Sequence, residues 1–263
     1  MPFTDFRRHG RSPCKGFRLD HGDLDSSAGG LRRCTFRLQT TLTDLPVIER
    51  TSNNSAEVNA SIIWLHGLGA DGSDFAPIVP ELGLPAACAV RFVFPSAPSI
   101  PVTINRGMVM PAWYDIMELG DSRRIDEAGL RASAGKVQAL LRQEIDRGVP
   151  SERILLAGFS QGGAVCLEAG LSFQERIGGI IALSTYFPTA ASVVAHPAQS
   201  RLPVLVCHGS MDPMLNESLG RAAARSLRRL GMEPEYHVYP MAHQVCPEEI
   251  VQIGQWIRTV LGT

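Results

Sequence analysis

Residues 153–171 read RILLAGFSQGGAVCLEAGL, and this segment is the strongest indication of the fold. It begins with an apolar run typical of a buried strand and continues in a segment of helical character. Between the two, residues 158–162 read G-x-S-x-G, and a strand–turn–helix setting is the context in which this pattern holds a serine on a strained turn. Gly158 and Gly162 take away side chains that would clash at such a turn. We therefore predict that Ser160 is an exposed nucleophile at the carboxyl end of a strand, rather than an incidental residue of a glycine-rich turn.

Short apolar runs alternate with helical patterns over the rest of the chain from Pro46 onward. Continuous apolar runs suit strands that are buried on both faces of a parallel sheet. Their alternation with helices predicts an α/β domain with helices on both faces of the sheet. The predicted strands are Ser61–His66, Ala89–Phe94, Arg153–Phe159, Gly179–Leu183, Val204–Cys207 and Tyr236–Tyr239. The predicted helices are Arg124–Arg147, Gln161–Leu171, Ser218–Leu230 and Glu248–Leu261.

A serine hydroxyl is a weak nucleophile, so it needs an adjacent base, most often a histidine. His243 follows the last predicted strand and precedes the last helix, which lets its imidazole lie over the sheet edge near Ser160. The other downstream histidines fit other places, because His196 lies in a polar loop, His208 ends a strand and His237 lies within one. We therefore predict that His243 is the base.

The acid that orients such a histidine lies between the serine and the histidine in chain order. Asp212 is the only aspartate between Ser160 and His243, and it follows the strand Val204–Cys207 by one short loop. A turn that starts at Asp-Pro, or a helix N-cap, would also explain Asp212, and these interpretations are compatible with a catalytic one. A carboxylate at this place would hold the imidazole in the tautomer that accepts the serine proton.

Nucleophilic attack by a serine also requires two N–H donors for the oxyanion that forms. The residue after the serine, Gln161, supplies one backbone N–H. The second donor is predicted at Leu68, because the motif HGLG (66–69) follows a predicted strand and its glycines let the backbone turn an amide inward. The alternative for this motif is a flexible turn between a strand and a helix. Its place, about 90 residues before the serine motif, favours the oxyanion function.

Composition and charge exclude several classes of function. The 263 residues carry a net charge of -1 at a pI near 6.7, which leaves no basic footprint for nucleic acid. No run approaches the roughly 18 apolar residues of a membrane span. The six cysteines form no C-x-x-C pair, so neither a zinc site nor a disulfide scaffold is expected. Free thiols and the lack of a recognisable secretory signal predict a cytoplasmic protein.

The first 45 residues differ from the rest of the chain. They carry a net charge of +3, whereas residues 46–263 carry -4. Their stretch Asp20–Gly30 is polar and glycine-rich without periodicity. We predict that residues 1–45 are a disordered extension outside the core and that residues 46–263 are the catalytic domain. A basic arm that contacts an anionic surface is the alternative, and Cys34–Leu42 is a stretch that could form a strand.

Six motifs occur together in one order: WLHGLGADGSDFAPIVPEL (64–82), RFVFPSAP (91–98), PAWYDI (111–116), GFSQGGAV (158–165), HGSMDPML (208–215) and YPMAHQV (239–245). In these motifs the chain resembles the phospholipase/carboxylesterase family of α/β-hydrolases, which includes bacterial carboxylesterases and eukaryotic acyl-protein thioesterases. The resemblance covers about residues 46–263. It implies the α/β-hydrolase fold, with a mainly parallel central sheet, and it implies Ser160, Asp212 and His243 as the triad with Leu68 and Gln161 as oxyanion donors.

The predicted fold has no large cap domain. Only 19 residues separate Leu183 from Pro203, too few for the helical cap of many lipases. The pocket is therefore expected to be shallow or covered by loops.

The main irregular stretch, Pro95–Arg123, is the candidate substrate-binding surface. It is rich in apolar residues, and such a loop either lines an acyl groove or only packs against the sheet. The family resemblance favours acyl binding, so Met108, Met110 and Trp113 are the candidate substrate contacts. The run Trp113-Tyr114-Asp115 is predicted to brace the loop.

We therefore expect a serine carboxylesterase that uses no cofactor and no metal. It would cleave carboxylic esters of short to medium acyl chains through an acyl-enzyme. An acyl-protein thioesterase or a lysophospholipase is the alternative, because esters and thioesters share the mechanism. A non-catalytic binding protein of the same fold is disfavoured by the full set of candidate residues. The expected partner is a small or lipid-like acyl ester, without nucleic acid or integral membrane contact, and the resemblance implies that a homodimer can form.

Overall fold

The computed structural model describes residues 45–53, 57–120 and 123–263. Most of its strands belong to one sheet. The strands are β1 (Val47–Thr51), β2 (Ala60–Leu65), β3 (Val90–Pro95), β4 (Ser99–Val102), β5 (Met108–Pro111), β6 (Ile116–Glu118), β7 (Arg124–Ile125), β8 (Ile154–Phe159), β9 (Gly179–Leu183), β10 (Val204–Gly209) and β11 (Glu235–Tyr239).

The central sheet has seven strands in the order β1-β3-β2-β8-β9-β10-β11. All neighbours run parallel except β1, which pairs antiparallel with β3 at one edge. Because the other six strands point the same way, their carboxyl ends meet at one edge of the sheet. In an open α/β sheet that edge is where ligands bind.

Helices cover both faces of the sheet. The α-helices are α1 (Glu127–Asp146), α2 (Gln161–Ser172), α3 (Glu217–Arg229) and α4 (Pro247–Leu261), with short 3-10 helices at Ala76–Leu82, Thr103–Asn105, Ser151–Arg153 and Pro197–Gln199. Side chains of α1, α2 and α3 share one buried cluster, and those of α4 and Ala76–Leu82 share another. Strand β2 contributes Ile63 to the first cluster and Ile62 to the second, as the alternation of side chains along a strand requires.

The predicted α/β architecture is confirmed, and the six predicted strands are all present with ends that differ by at most two residues. The helix predicted from Arg124 begins three residues later, at Glu127. Asp126 ends the extended segment and caps the helix, since its side chain accepts a hydrogen bond from the N–H of Gly129. Arg124 and Ile125 instead pair with β6.

Strands β4, β5, β6 and β7 were not expected, because the stretch Pro95–Arg123 was interpreted as irregular. It contains two small antiparallel pairs, β4 with β5 and β6 with β7. These strands have only two to four residues, and just β4 alternates between exposed and more buried side chains, so the period-2 signal in the sequence is weak. Among the described residues, only a short 3-10 helix lies between β9 and β10, in agreement with the expected lack of a large cap.

The predicted N-terminal extension, with its possible strand Cys34–Leu42, lies outside the described residues except for its last member. Leu45 is buried and belongs to the same cluster as α1 and α2. The core therefore begins at least one residue earlier than the predicted boundary, because an apolar side chain that is removed from water in this way contributes to folding.

No helix in the described ranges combines the length and the apolar composition that crossing a membrane requires.

Candidate active site

Three side chains meet at the carboxyl edge of the sheet, each in the loop after a different strand. Ser160 follows β8, Asp212 follows β10 and His243 follows β11. The Oγ of Ser160 lies 2.9 Å from Nε2 of His243, and Nδ1 of His243 lies 2.6 Å from Oδ2 of Asp212. The structure thus joins the predicted nucleophile, base and acid in one hydrogen-bonded chain, although the serine and the histidine are 83 positions apart.

Ser160 sits on a strained turn. Its φ of 54° and ψ of -118° are conformations that residues with a side chain rarely adopt. The neighbouring glycines make room for it, because a Cβ on Gly158 would lie 2.5 Å from the backbone of Gly162, and a Cβ on Gly162 would lie 2.6 Å from the oxygen of His66. The turn is also held by hydrogen bonds, since the Ser160 N–H donates to Leu183 O at 2.9 Å.

The two carboxylate oxygens of Asp212 have different partners: one accepts hydrogen bonds from the following backbone, and the other faces the predicted catalytic histidine. Oδ1 accepts hydrogen bonds from the N–H groups of Met214 and Leu215, both at 2.8 Å, so the residue does start a turn. Oδ2 faces His243. Burial by itself raises the pKa of Asp212, but the hydrogen bond from His243 and those from the amides of Leu215 and Met214 outweigh it, so the pKa lies below its ordinary value.

The ionised Asp212 determines the tautomer of His243. A carboxylate only accepts hydrogen bonds, so Nδ1 of His243 must donate. In the neutral ring Nε2 then carries the lone pair and accepts the hydrogen bond of the Ser160 hydroxyl. The ring of Phe159 lies 4.7 Å from the imidazole, centre to centre, and limits how far it can swing. This is the arrangement in which an imidazole can take a proton from a serine.

The other downstream histidines lie where the sequence interpretation put them. His208 is fully buried at the end of β10 and donates from Nε2 to Leu215 O at 2.8 Å. His237 is half-buried in β11, and its nearest charged partner is Glu235 at 3.7 Å. His196 accepts a hydrogen bond from the N–H of Ala198.

The two predicted oxyanion donors have free N–H groups. Over the residues that the structure describes, neither the Leu68 N–H nor the Gln161 N–H donates a hydrogen bond within the protein. Gln161 is the first residue of α2, where N–H groups lack a partner inside the helix. The loop that carries Leu68 is held by the Gly69 N–H, which donates to Pro111 O at 2.9 Å.

The side chain of Gln161 has a structural function that the sequence interpretation missed. Its Oε1 accepts a hydrogen bond from the Trp113 N–H at 2.8 Å, and its Nε2 donates to Tyr114 O at 2.7 Å. The first residue of α2 is therefore clamped to the segment after β5. No local pattern could have indicated this contact, because the partners are about 50 positions away.

His66 is a second residue that sequence reasoning missed. The ring is buried, donates from Nδ1 to Gly67 O at 2.7 Å and accepts the Ala97 N–H at Nε2. Burial lowers its pKa, which keeps the ring neutral and both hydrogen bonds intact. Its backbone oxygen accepts the indole N–H of Trp113 at 2.9 Å. His66 thereby braces the loop of Leu68.

The candidate substrate contacts separate into exposed and buried residues. Met108 is exposed, and Met110 is half-buried with its sulfur near Gly69. Trp113 is 2% exposed and both its N–H groups are used inside the protein, so its proposed contact with substrate is not supported. The sequence Trp113-Tyr114-Asp115 does brace the segment, since Asp115 also accepts hydrogen bonds from Thr103. Within the described ranges, no group of three or more His, Cys, Asp or Glu side chains could hold a metal ion.

Comparisons with known proteins identify the family of this chain. The family described as Phospholipase/Carboxylesterase matches residues 46–261. Acyl-protein thioesterase 1 of Neurospora crassa is 38% identical over 213 residues, which cover 77% of this chain and 87% of that protein. Acyl-protein thioesterase 1 of Mycosarcoma maydis is 37% identical over 219 residues, or 77% and 91% of the two chains. The crystal structure of Arabidopsis thaliana SOBER1 superposes with a TM-score of 0.72 at 32% identity, covering 77% of this chain and 99% of that one.

The chain belongs to the phospholipase/carboxylesterase family and has the α/β-hydrolase fold. It is a serine hydrolase of the kind that cleaves esters and thioesters. Between these two, the names of the relatives favour the thioesterase alternative over the short-chain and medium-chain carboxylesterase that the sequence led us to expect.

Proposed function

We propose, on the premise of this family membership, that the protein hydrolyses acyl thioesters in preference to oxygen esters. The preference is supported by two relatives that are named as acyl-protein thioesterases and are 37–38% identical over most of the chain. Oxygen esters remain substrates in this proposal, because both bonds are attacked at the same carbonyl carbon by the same nucleophile.

The observation that carries the hydrolytic activity in this proposal, for either bond, is the hydrogen-bonded chain from Ser160 through His243 to Asp212, with links of 2.9 and 2.6 Å. In the proposed mechanism, His243 Nε2 accepts the hydroxyl proton while Ser160 Oγ attacks the carbonyl carbon. Asp212 stabilises the imidazolium that results and keeps the ring in the correct tautomer. The bond to sulfur or oxygen then breaks, and His243 returns the proton to the leaving group.

The acyl group is then bound to Ser160 as an ester, and water completes the cycle. His243 takes a proton from that water, the water oxygen attacks the acyl carbon, and Ser160 leaves with the proton returned. In both steps a negative charge develops on the carbonyl oxygen. We assign the free N–H groups of Leu68 and Gln161 to that oxygen, since preorganised donors that need no rearrangement stabilise the transition state most strongly.

Leaving-group chemistry supplies the test between the two substrate classes. A thiol has a pKa of about 8.5, so a thiolate departs with less help from His243 than an alkoxide needs. The experiment compares kcat/KM for S-hexanoyl-N-acetylcysteamine and the oxygen ester with the same acyl group. The proposal expects the thioester to be the better substrate, and a clear preference for the oxygen ester would restore the carboxylesterase interpretation. Release of fatty acid from lysophosphatidylcholine, measured in parallel, tests the lysophospholipase alternative.

We also propose a domain boundary near residue 46, a cytoplasmic location and a homodimer. The location is supported by the free thiols of Cys88, Cys166 and Cys207, which are buried. A reducing compartment keeps such thiols free.

A further inference from the structure

A cavity of about 300 Å³ lies between β7, the loop after β9 and helix α3, and none of the proposed catalytic residues lines it. Its wall is part aromatic and apolar and part cationic. The lining residues include two arginines, two aromatic residues and a leucine: Arg123, Arg124, Tyr186, Phe187 and Leu219. A space of this size corresponds to the small end of ligand-binding pockets, which start near 300 Å³.

Three hydrogen bonds connect the wall of the cavity to residues of the site. Thr185 donates from Oγ1 to the backbone oxygen of Ser160 at 2.6 Å, and the next residue, Tyr186, forms part of the cavity wall. The hydroxyl of Tyr186 lies 2.8 Å from the hydroxyl of Tyr114, whose backbone oxygen accepts the side-chain N–H of Gln161. The wall of the cavity is therefore tied both to the nucleophile and to a proposed oxyanion donor.

Arg123 brings a positive charge into this wall, and no carboxylate of the described ranges forms an ion pair with it. Its guanidinium lies 4.7 Å from the centre of the Tyr186 ring. Its Nε atom is buried and has no hydrogen-bond acceptor within the described part of the chain. A buried donor of a charged group costs stability when it lacks an acceptor, so an unpaired Arg123 Nε indicates a place for an acceptor that comes from a ligand.

The acidic residues nearby do not neutralise the two arginines. Among the described residues, no carboxylate forms an ion pair with Arg123 or Arg124. Glu127, the acid in the cavity wall, is paired with Arg131 at 3.2 Å. Glu118 lies opposite Arg124 in the β6–β7 pair but forms no ion pair with it. Counted over the described residues alone, the cavity wall holds two arginines and one carboxylate, which is paired with Arg131.

We propose that this cavity is a subsite for a carboxylate of the substrate, several bonds away from the carbonyl that is cleaved. The inference rests on the proposed function and narrows its substrate class. Arg123 binds the carboxylate with its planar fork of N–H donors, Arg124 adds charge at the same edge, and Phe187 and Leu219 contact the hydrocarbon between the two ends. Charge-assisted hydrogen bonds of this kind are the strongest that side chains form.

The test uses substrate pairs that differ only in the carboxylate. On the acyl side the pair is p-nitrophenyl hexanoate and the mono-p-nitrophenyl ester of adipic acid. On the leaving-group side it is the hexanoyl thioester of propanethiol and that of 3-mercaptopropionate. Each is measured with the wild type, with Arg123→Gln and with Arg123→Lys. Arg225→Gln serves as the matched control, because Arg225 is exposed on α3 and does not line the cavity.

Arg123→Gln is expected to lower kcat/KM about 10- to 100-fold for the carboxylate-bearing member of one pair, mainly through KM. Its neutral partner should stay within about twofold. Arg123→Lys should restore part of the loss, since it keeps the charge and loses the fork. Arg225→Gln should change neither substrate. The pair that responds shows whether the carboxylate belongs to the acyl group or to the leaving group.

An equal loss for charged and neutral members, or no effect in either pair, would overturn the subsite and leave Arg123 as a support for Tyr186. Turnover of the neutral substrates by the wild type tests the proposed function separately. Calorimetry measures the dissociation constant of the adipate monoester with Ser160→Ala, and this measurement does not depend on turnover. If no substrate is cleaved but this binding depends on Arg123, the proposed function fails while the subsite stands.

Discussion

The backbone N–H of Trp113 donates a hydrogen bond to the side-chain oxygen of Gln161 across 2.8 Å, although the two residues are 48 positions apart. Both groups are buried, so water does not compete for either. The contact connects the segment after β5 to the first residue of α2, whose own N–H is a proposed oxyanion donor. The position of that donor thus depends on a part of the chain that lies far from the serine motif.

Gln161→Met is expected to lower both stability and kcat, because it leaves a buried N–H on Trp113 and a buried oxygen on Tyr114 without partners. Each loss is worth about 1–3 kcal/mol in the free energy of unfolding. Gln138→Met is the matched control, since Gln138 also donates two hydrogen bonds from its amide, to Ala169 and Ser172, on α1 and away from the site. Urea unfolding and ester hydrolysis should show a stability loss in both variants and a loss of kcat only in Gln161→Met.

Ser160→Ala should remove hydrolysis while the fold is kept, because the turn is shaped by its glycines and backbone hydrogen bonds. The loss of kcat is expected to be about 10⁴-fold or more, since the members of a triad act as one unit. A fluorophosphonate probe should label the wild type at Ser160, as read by mass spectrometry of peptides. Ser210→Ala, an exposed serine in the loop after β10, is the control. Labelling at Ser210 or Ser184 would disprove the assignment.

Asp212→Asn keeps the shape of the side chain but replaces an acceptor by an amide that can donate. His243 would then favour the wrong tautomer, and kcat should fall on the order of 10⁴-fold, as in serine proteases with the corresponding change. Steady-state kinetics at neutral pH measure this. Nearly full activity of the variant would mean that the acid comes from elsewhere in the chain.

The pH dependence of stability should also report Asp212. Its pKa in the folded protein is below the ordinary value of 3.8, so its ionised form contributes stability above that value and the contribution is lost as the pH falls through the folded pKa. The difference in unfolding free energy between the wild type and Asp212→Asn should therefore be constant above about pH 5 and shrink below about 3.8. A difference that stays constant down to pH 2 would contradict the lowered pKa.

Glu249 should give stability the opposite pH dependence, with the free energy of unfolding falling as the pH rises. It is fully buried near the start of α4, and burial raises its pKa from 4.5 to about 8. The folded state therefore binds a proton that the unfolded state releases between about pH 4.5 and 8, and stability falls with rising pH in that window. Glu249→Gln should flatten this slope of up to about 1.4 kcal/mol per pH unit. Glu248→Gln, at an exposed neighbour, should leave it unchanged.

Deletion of residues 1–44 should leave activity and Tm nearly unchanged, since a terminal segment without a core-packing pattern contributes little. Leu45 is different, because its side chain is buried in the core. Leu45→Ala in the full chain should cost about 2 kcal/mol or more of unfolding free energy, whereas Val47→Ala, at an exposed strand position, should cost less than about 0.5 kcal/mol. A large loss of Tm on deleting residues 1–44 would place part of the extension in the folded domain.

Local patterns along the chain were enough to predict the α/β architecture and the candidate triad. Buried parallel strands such as Gly179–Leu183 need uninterrupted apolar runs, and a strained serine turn needs glycines at 158 and 162, so both appear as local patterns. Chain order then sufficed to choose Asp212 and His243, because all parallel strands end at the same edge of the sheet. Each of these features depends on residues that are close to one another in the sequence, so the sequence alone reveals it.

The contacts that support the site became visible only in the folded structure. They join segments that are dozens of residues apart: Gln161 with Trp113, His66 with Trp113, and Arg123 with the ring of Tyr186. The same holds for the burial of Trp113, which sequence interpretation offered as a substrate contact. Hydrogen bonds and ring contacts act over a few ångströms in space, and no periodicity along the chain records which distant backbone groups the fold brings within that range.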